Sequence, residues 1–293
     1  MSFLVMDLGG SRLKAGVAKD GGLLRASVHD VPASGGLEEL LDLLARAGRD
    51  LLEGERADGV ALCVPGLVDA GTLVSLPGKL GGLEGTDLGT FLRETFGVDH
   101  VEVRNDALAN AIGEATSGAG RGCGRAVIVT IGTGVGVSVI EEGVPATGGI
   151  FGSGILGGFI PVVDESDGPV DSIGRSDTIE ALCAAERIAA LAGYPTVPEA
   201  YEAHALGVDA ARKGVEAYRD RLARGLVALA HAHAPERIIL GGGPMFVGNP
   251  IFPGLEDLVN ERLFGTYRVE VRLAELGDGA SLIGLAHLLS DSR

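Results

Sequence analysis

The chain has 293 residues, enough for one large domain or two modest ones with a full hydrophobic core. Glycine is heavily used, 48 residues, but without a collagen period and with only 12 prolines, and 46% hydrophobic residues exclude intrinsic disorder. Twenty-four basic against 40 acidic side chains leave a net charge of −16, which repels phosphate backbones and anionic lipid headgroups and argues against nucleic-acid and membrane partners. An anionic ligand must then be held locally, by backbone N–H groups, helix N-termini or a metal. Three scattered cysteines, Cys63, Cys123 and Cys183, form no disulfide framework and no paired metal motif. With no basic apolar leader and no long apolar run, a cytoplasmic protein is expected.

In chain order, Phe3–Leu8 reads as a strand that turns at Gly9-Gly10-Ser11 into a second strand reaching Ala18. Residues 37–52 carry leucines at helical spacing. Gly59–Val64 is a buried strand closed by Pro65-Gly66, so the opening order is β-β-α-β. The glycine-rich stretch 77–89 is expected to be an irregular binding loop. A helix over 88–96, a strand at 101–103 and a helix that starts at Asn105-Asp106 follow.

Past an expected hinge between Ser117 and Arg125, the pattern of the opening recurs. Ala126–Ile131 turns at Gly132-Thr133-Gly134 into Val137–Ile140, which predicts a duplicated α/β unit. A second glycine-rich loop covers 148–158. One helix is predicted over 176–192, capped by Ser176 or Asp177, and a long one over 213–233. A buried strand, Arg237–Leu240, runs into Gly241-Gly242-Gly243, and a strand at 269–271 precedes a C-terminal helix from Ala280.

Three glycine turns that each follow an apolar strand let backbone approach a phosphate closely, and Ser11 and Thr133 add hydroxyls. None is a dinucleotide or P-loop fingerprint. Asp7 and Asp106 stand at strand ends beside these turns, where phosphoryl transfer would use one acid to accept a proton and oxygen ligands for magnesium. His231 and His233, at i,i+2 on a helix, point to different faces and are not a metal pair.

These motifs together resemble the ROK family (repressors, open reading frames and kinases) of the actin-like ATPase superfamily. Asp7-Leu8-Gly9-Gly10-Ser11-Arg12 is similar to its first phosphate motif and Asn105-Asp106-Ala107 to its catalytic motif. Gly132-Thr133-Gly134-Val135-Gly136 is similar to the second phosphate motif and Leu240-Gly241-Gly242-Gly243 to the adenosine motif. The resemblance implies an α/β fold of two actin-like (ribonuclease H-like) domains with an interdomain cleft. Their expected extents are 1–118 and 119–279, with the C-terminal helix, about 280–293, packing back on the first.

It also implies ATP and Mg²⁺ as cofactors, with the ion near Asp7. Asp106 becomes the general base for a sugar-like hydroxyl and Asn105 an acceptor-orienting residue. Gly9, Gly10, Ser11, Arg12, Gly132, Thr133 and Gly134 would cradle phosphates, and Gly242 and Gly243 would lie under adenosine. The partners are then ATP and a small sugar-like substrate, and a homodimer is expected. The family's zinc ligands are replaced here by Pro161, Asp171, Ile173 and Thr178, so no structural zinc is expected. Glu180 matches the last sugar-contacting acid, but Gly158 stands where another acid is usual and Gly78-Lys79-Leu80 where the family has Pro-Asn-Leu.

With Lys79 added as a binding-loop cation, the expected function is ATP-dependent phosphorylation of a modified hexose, amino sugar or cyclitol. The alternatives are a non-catalytic regulatory member and an acceptor-independent actin-like ATPase.

Overall fold

A computed structural model describes residues 1–19, 22–32, 36–75, 80–146, 155–162, 168–246 and 248–291. The chain divides into two compact units, one holding Met1–Gly118 and the C-terminal residues from Asp278, the other the described residues from Ala119 to Gly277.

The first unit is built on strands β1 (Ser2–Leu8), β2 (Arg12–Lys19), β3 (Gly22–Asp30), β4 (Gly59–Val64) and β7 (Val101–Asn105), in sheet order β3-β2-β1-β4-β7. β1 is antiparallel to β2 and parallel to β4, and β4 is parallel to β7. The side-chain period of two sorts β1 between two layers. Leu4, Met6 and Leu8 join the core with helices α1 (Leu37–Leu52) and α2 (Leu88–Phe96), while Phe3 and Val5 join the core with α3 (Asp106–Ser117) and α9 (Ala280–Asp291). Asp7, two residues beyond Val5, falls on the α9 face.

Helices α3 and α9 approach so closely that a Cβ on Gly113 would lie 2.1 Å from the carbonyl oxygen of Ala280, and one on Gly284 1.9 Å from that of Ala109. Only glycine fits at this crossing.

The second unit repeats the topology. Strands β8 (Arg125–Ile131), β9 (Val135–Glu141), β10 (Val144–Pro145), β11 (Arg237–Gly241) and β12 (Glu270–Leu273) form a sheet in order β10-β9-β8-β11-β12, with the β8–β9 pair antiparallel and β8, β11 and β12 parallel. Its core is covered by α4 (Ile179–Cys183), α5 (Glu186–Ala192), α6 (Val197–Ala205), the long α7 (Asp209–His233) and α8 (Leu255–Asn260).

Several elements differ from the sequence expectation. β3 is an edge strand that was not anticipated; its residues alternate from Leu24 to His29, but in the inverted sense, with the apolar Leu24 and Val28 exposed and the polar Arg25, Ser27 and His29 half-buried. A hairpin of β5 (Leu67–Asp69) and β6 (Thr72–Ser75) precedes the stretch expected to be irregular, and α6 and α8 were not anticipated. The helix expected over 176–192 is two helices. Thr178, and neither Ser176 nor Asp177, caps α4, and the chain is extended at Ala184, where ψ is 148°. The break is tertiary in origin, because it turns the Ala185 N–H onto the carbonyl of Gly132 at 2.9 Å.

Candidate active site

In the first unit, the strand ends bring Asp7 and Asp106 into one electrostatic neighbourhood. Asp7 pairs with Lys14 across β2 and with Cys63 across β4. Its Oδ2 accepts a 2.6 Å hydrogen bond from the Ser281 hydroxyl at the start of α9, and Lys14 Nζ stands 4.0 Å away, also donating to the Asp278 carbonyl at 3.2 Å. The Cys63 thiol is fully buried, hydrogen-bonds Asp7 and is pushed well above the ordinary range by burial and by the charges of Asp7 and Asp106. It stays protonated and is no nucleophile.

Asp106 opens α3. Burial pushes its carboxyl up to about 6, with the Asp7 charge adding to the rise and the Ala107 N–H, donating to Oδ1 at 2.8 Å, opposing it. The helix cap is Asn105, not Asp106. Its Oδ1 accepts the Leu108 N–H at 3.1 Å while its Nδ2 donates to the Gly66 carbonyl at 2.8 Å, so the residue locks β7, α3 and the Pro65-Gly66 turn together. Its side chain also hydrogen-bonds the Asp106 carboxyl, which opposes the rise that burial produces there.

The first glycine turn is a tight hairpin, closed by the Gly9 N–H donating to the Arg12 carbonyl at 2.9 Å. Gly10, Ser11 and Arg12 form its exposed tip. Lys79 lies outside the described residues.

In the second unit, the equivalent hairpin turns at Gly132–Gly134, with Thr133 exposed. Glu180 stands directly behind it. Its Oε2 accepts the Val135 N–H at 3.0 Å, and its Oε1 accepts the N–H and the hydroxyl of Ser172 at 2.9 and 2.6 Å. A Cβ on Gly134 would lie 2.5 Å from that same Oε2, and one on Gly158 2.3 Å from the Val135 carbonyl oxygen. Glycine is therefore sterically required at 158, where the clash is with backbone, whereas a Cβ at 134 would have to displace the Glu180 carboxylate, and Gly158 offers no side chain to a ligand. Three of about four carboxylate lone-pair sites on Glu180 are used within the unit.

Gly242, at φ 98°, continues β11 past the end of β8, where a Cβ would meet the Ile131 carbonyl oxygen at 1.9 Å. Gly242 and Gly243 are exposed. A cavity of about 340 Å³ in the same unit is lined by Tyr201, His204, Phe246, Asn249 and Phe252 among others. Sequence reading did not find this aromatic pair, since Tyr201 and Phe246 come from separate elements and meet only in the fold, 5.9 Å between ring centroids. His231 Nε2 accepts the Phe264 N–H at 3.1 Å, in keeping with a structural role.

The positions where the resemblance would place zinc do not suit that ion. Pro161 and Ile173 have no donor atom, and Thr178 is a neutral hydroxyl. The two oxygens of Asp171 already accept the N–H groups of Ile173 and Arg175 at 3.0 and 2.9 Å and the Thr178 hydroxyl at 2.7 Å. Arg175 itself is ion-paired with Asp177.

The ROK family model matches residues 3–292. The chain belongs to the ROK family. A glucokinase from Thermotoga maritima is 30% identical and is matched over 99% of this chain and 98% of its own length. The solved structure of a ROK hexokinase from Thermus thermophilus superposes with a TM-score of 0.85 at 27% identity, covering 98% of this chain and 97% of the other. That of a ROK family glucokinase from Streptomyces griseus in complex with glucose and AMPPNP gives 0.82 at 25%, covering 98% and 99%. The two α/β units are thus the actin-like domains of ROK proteins.

Proposed function

We propose that this protein is an ATP-dependent sugar kinase that transfers the γ-phosphoryl group to a hydroxyl of a sugar or sugar-like polyol, with Asp106 as the general base. One observation carries the proposal: a carboxyl at the mouth of β7, opening α3, is raised by burial to about 6. At pH 7 such a group is about nine-tenths ionised yet a stronger base than an exposed aspartate, the compromise that proton transfer favours.

In the reaction, the acceptor hydroxyl forms the new O–P bond as its O–H bond breaks, and the proton moves to the Asp106 carboxylate while ADP departs with the bond's electron pair. Asn105 holds the Asp106 backbone in place through its cap, hydrogen-bonds the Asp106 carboxyl and orients the acceptor beside it. The exposed tips Gly9–Arg12 and Gly132–Gly134 bind phosphate, and Gly242 and Gly243 lie under the adenosine. Asp7, an oxygen donor fixed by Ser281 and Lys14, suits magnesium, which prefers one or two carboxylates together with phosphate oxygens. Bound there, the ion would neutralise charge on the transferred group.

The acceptor differs from plain glucose in its hydrogen-bonding demand. Gly158 supplies no acid, and Glu180 has about one lone pair left to accept a sugar hydroxyl. Modified hexoses, amino sugars and cyclitols fit this reduced set.

The test is ATP turnover with Mg²⁺ against hexoses, amino sugars, N-acetyl sugars and cyclitols, beside a control without acceptor. Acceptor-dependent ADP release is expected. ATP hydrolysis indifferent to every acceptor would overturn the kinase reading, and glucose giving the highest kcat/KM would overturn the acceptor reading alone.

A further inference from the structure

The stretch 171–180 is an unbroken relay of hydrogen bonds that ends on the second glycine turn. It starts at Asp171, a buried carboxylate with no cationic side chain bonded to it among the described residues. Oδ1 gathers the N–H groups of Ile173 and Arg175, and the Asp171 N–H donates to the Arg175 carbonyl at 2.7 Å, which closes residues 171–175 into a compact loop. Oδ2 takes the Thr178 hydroxyl.

Thr178 is fully buried, and its Oγ also accepts the Ala181 N–H at 3.2 Å as the cap of α4. A hydroxyl has one proton, so with the amide donating to Oγ that proton must point to Asp171. The direction of the relay is fixed by chemistry.

From its capped end, α4 grips both ends of the Gly132–Gly134 turn. Glu180, two residues past Thr178, accepts the Val135 N–H, and Ala185, just past the helix, donates to the Gly132 carbonyl. Ser172, next to Asp171, completes the circuit by donating twice to Glu180. Two carboxylates thus tie one loop, one helix end and one turn.

We propose that Asp171 and Thr178 are positioning residues which, through α4 and Glu180, set the Gly132–Gly134 turn for nucleotide phosphate, and that this clasp works without any metal ion. The inference rests on the assignment of that turn to phosphate. Asp171 touches neither substrate nor cofactor. Its effect is on where the turn's N–H groups point.

The test uses the full chain, with three readouts: AMPPNP affinity by calorimetry in Mg²⁺, amide hydrogen exchange of the segment containing Val135, and metal content by mass spectrometry. Thr178→Val keeps the shape but loses the proton to Asp171. It is expected to weaken AMPPNP binding at least ten-fold and to speed exchange at Val135, while Thr178→Ser returns both to within about two-fold of the parent. Chelator treatment followed by Mg²⁺ should change neither readout in the parent chain.

Unchanged affinity and exchange in Thr178→Val would overturn the proposal. So would one zinc per chain whose removal reproduces the Thr178→Val behaviour. If Thr178→Val does not fold, Ser172→Ala, at an exposed residue, is expected to give about a three-fold loss with the same faster exchange, and an unchanged Ser172→Ala would overturn the clasp equally. A parent chain that binds no AMPPNP would defeat the kinase reading, and exchange at Val135 would still decide whether the clasp holds the turn.

Discussion

Replacing Asp106 by asparagine should make the protein more stable as it makes it inactive. In the folded chain the Asp106 carboxyl sits at about 6, against 3.8 when unperturbed, because burial disfavours its charge. That difference of about two pKa units is worth about 3 kcal/mol of ionisation penalty when the group is fully charged. The sign follows from proton linkage. With the native pKa raised, the folded state holds more protons than the unfolded one between about pH 4 and 6, so stability falls as pH rises through that window and the full penalty stands above it. Asparagine keeps the oxygen that accepts the Ala107 N–H and carries no charge. The stabilisation is therefore about 3 kcal/mol at pH 8 and about half of that at pH 5. At roughly 2–4 °C per kcal/mol, the Tm gap between variant and parent should reach roughly 6–12 °C at pH 8 and shrink on acidification. Thermal melts of both proteins across this range measure it. A gap independent of pH, or one larger at pH 5 than at pH 8, would refute the idea that burial of charge strains this residue.

The same group sets the activity profile: kcat/KM should rise about ten-fold per pH unit on the acid side and level off above about 6, and Asp106→Asn should lower kcat by roughly 10²–10⁴ while AMPPNP affinity stays near that of the parent. Gly242→Ala forces a side chain at φ 98° against the Ile131 carbonyl and should destabilise the protein by more than about 3 kcal/mol, read as a lowered melting transition. Gly284→Ala pushes α9 off Ala109 and should lower the Tm strongly, whereas Ser290→Ala near the end of that helix, losing a single hydrogen bond to the Ala286 carbonyl, should cost about 1 kcal/mol or less. Ser281→Ala leaves Asp7 without its shortest partner and should raise the Mg²⁺ concentration needed for half-maximal turnover several-fold.

Much of the fold was legible because its signals were local. The glycine turns after β1, β8 and β11 announce themselves, as does the Asn105 cap before α3. What escaped depended on partners far away in sequence. No residue at 184–185 is a helix breaker, and the break between α4 and α5 is made by the Gly132 carbonyl, more than 50 residues earlier. β3 is an edge strand whose apolar residues Leu24 and Val28 face solvent, so no buried apolar face marks it and it is held by pairing with β2.

The candidate site divides in the same way. Asp7 and Asp106 could be named from their places at strand ends, but neither Ser281 against Asp7 nor the raised carboxyl of Asp106 is written in any short motif. Position 171 and position 178 could be recognised as departures from a zinc pattern. That the two side chains bond one another follows only from the loop closing between them.

The packing of α9 against β1 has a consequence for how the protein is made. Ser281 and Asp7 are 274 positions apart, and the core layer of Phe3, Val5 and Ala61 has only Ala109 of α3 over it until the leucines of α9 arrive. From the end of β7 at Asn105 to the start of α9 at Ala280, a ribosome working at about 5–20 residues per second leaves the first sheet half-clothed for roughly 9 to 35 seconds. The second unit, made without interruption in between, can finish first. During that interval the nascent chain offers one apolar face to whatever chaperone or neighbour it meets, and the twelve residues of α9 decide whether β1 finds its place.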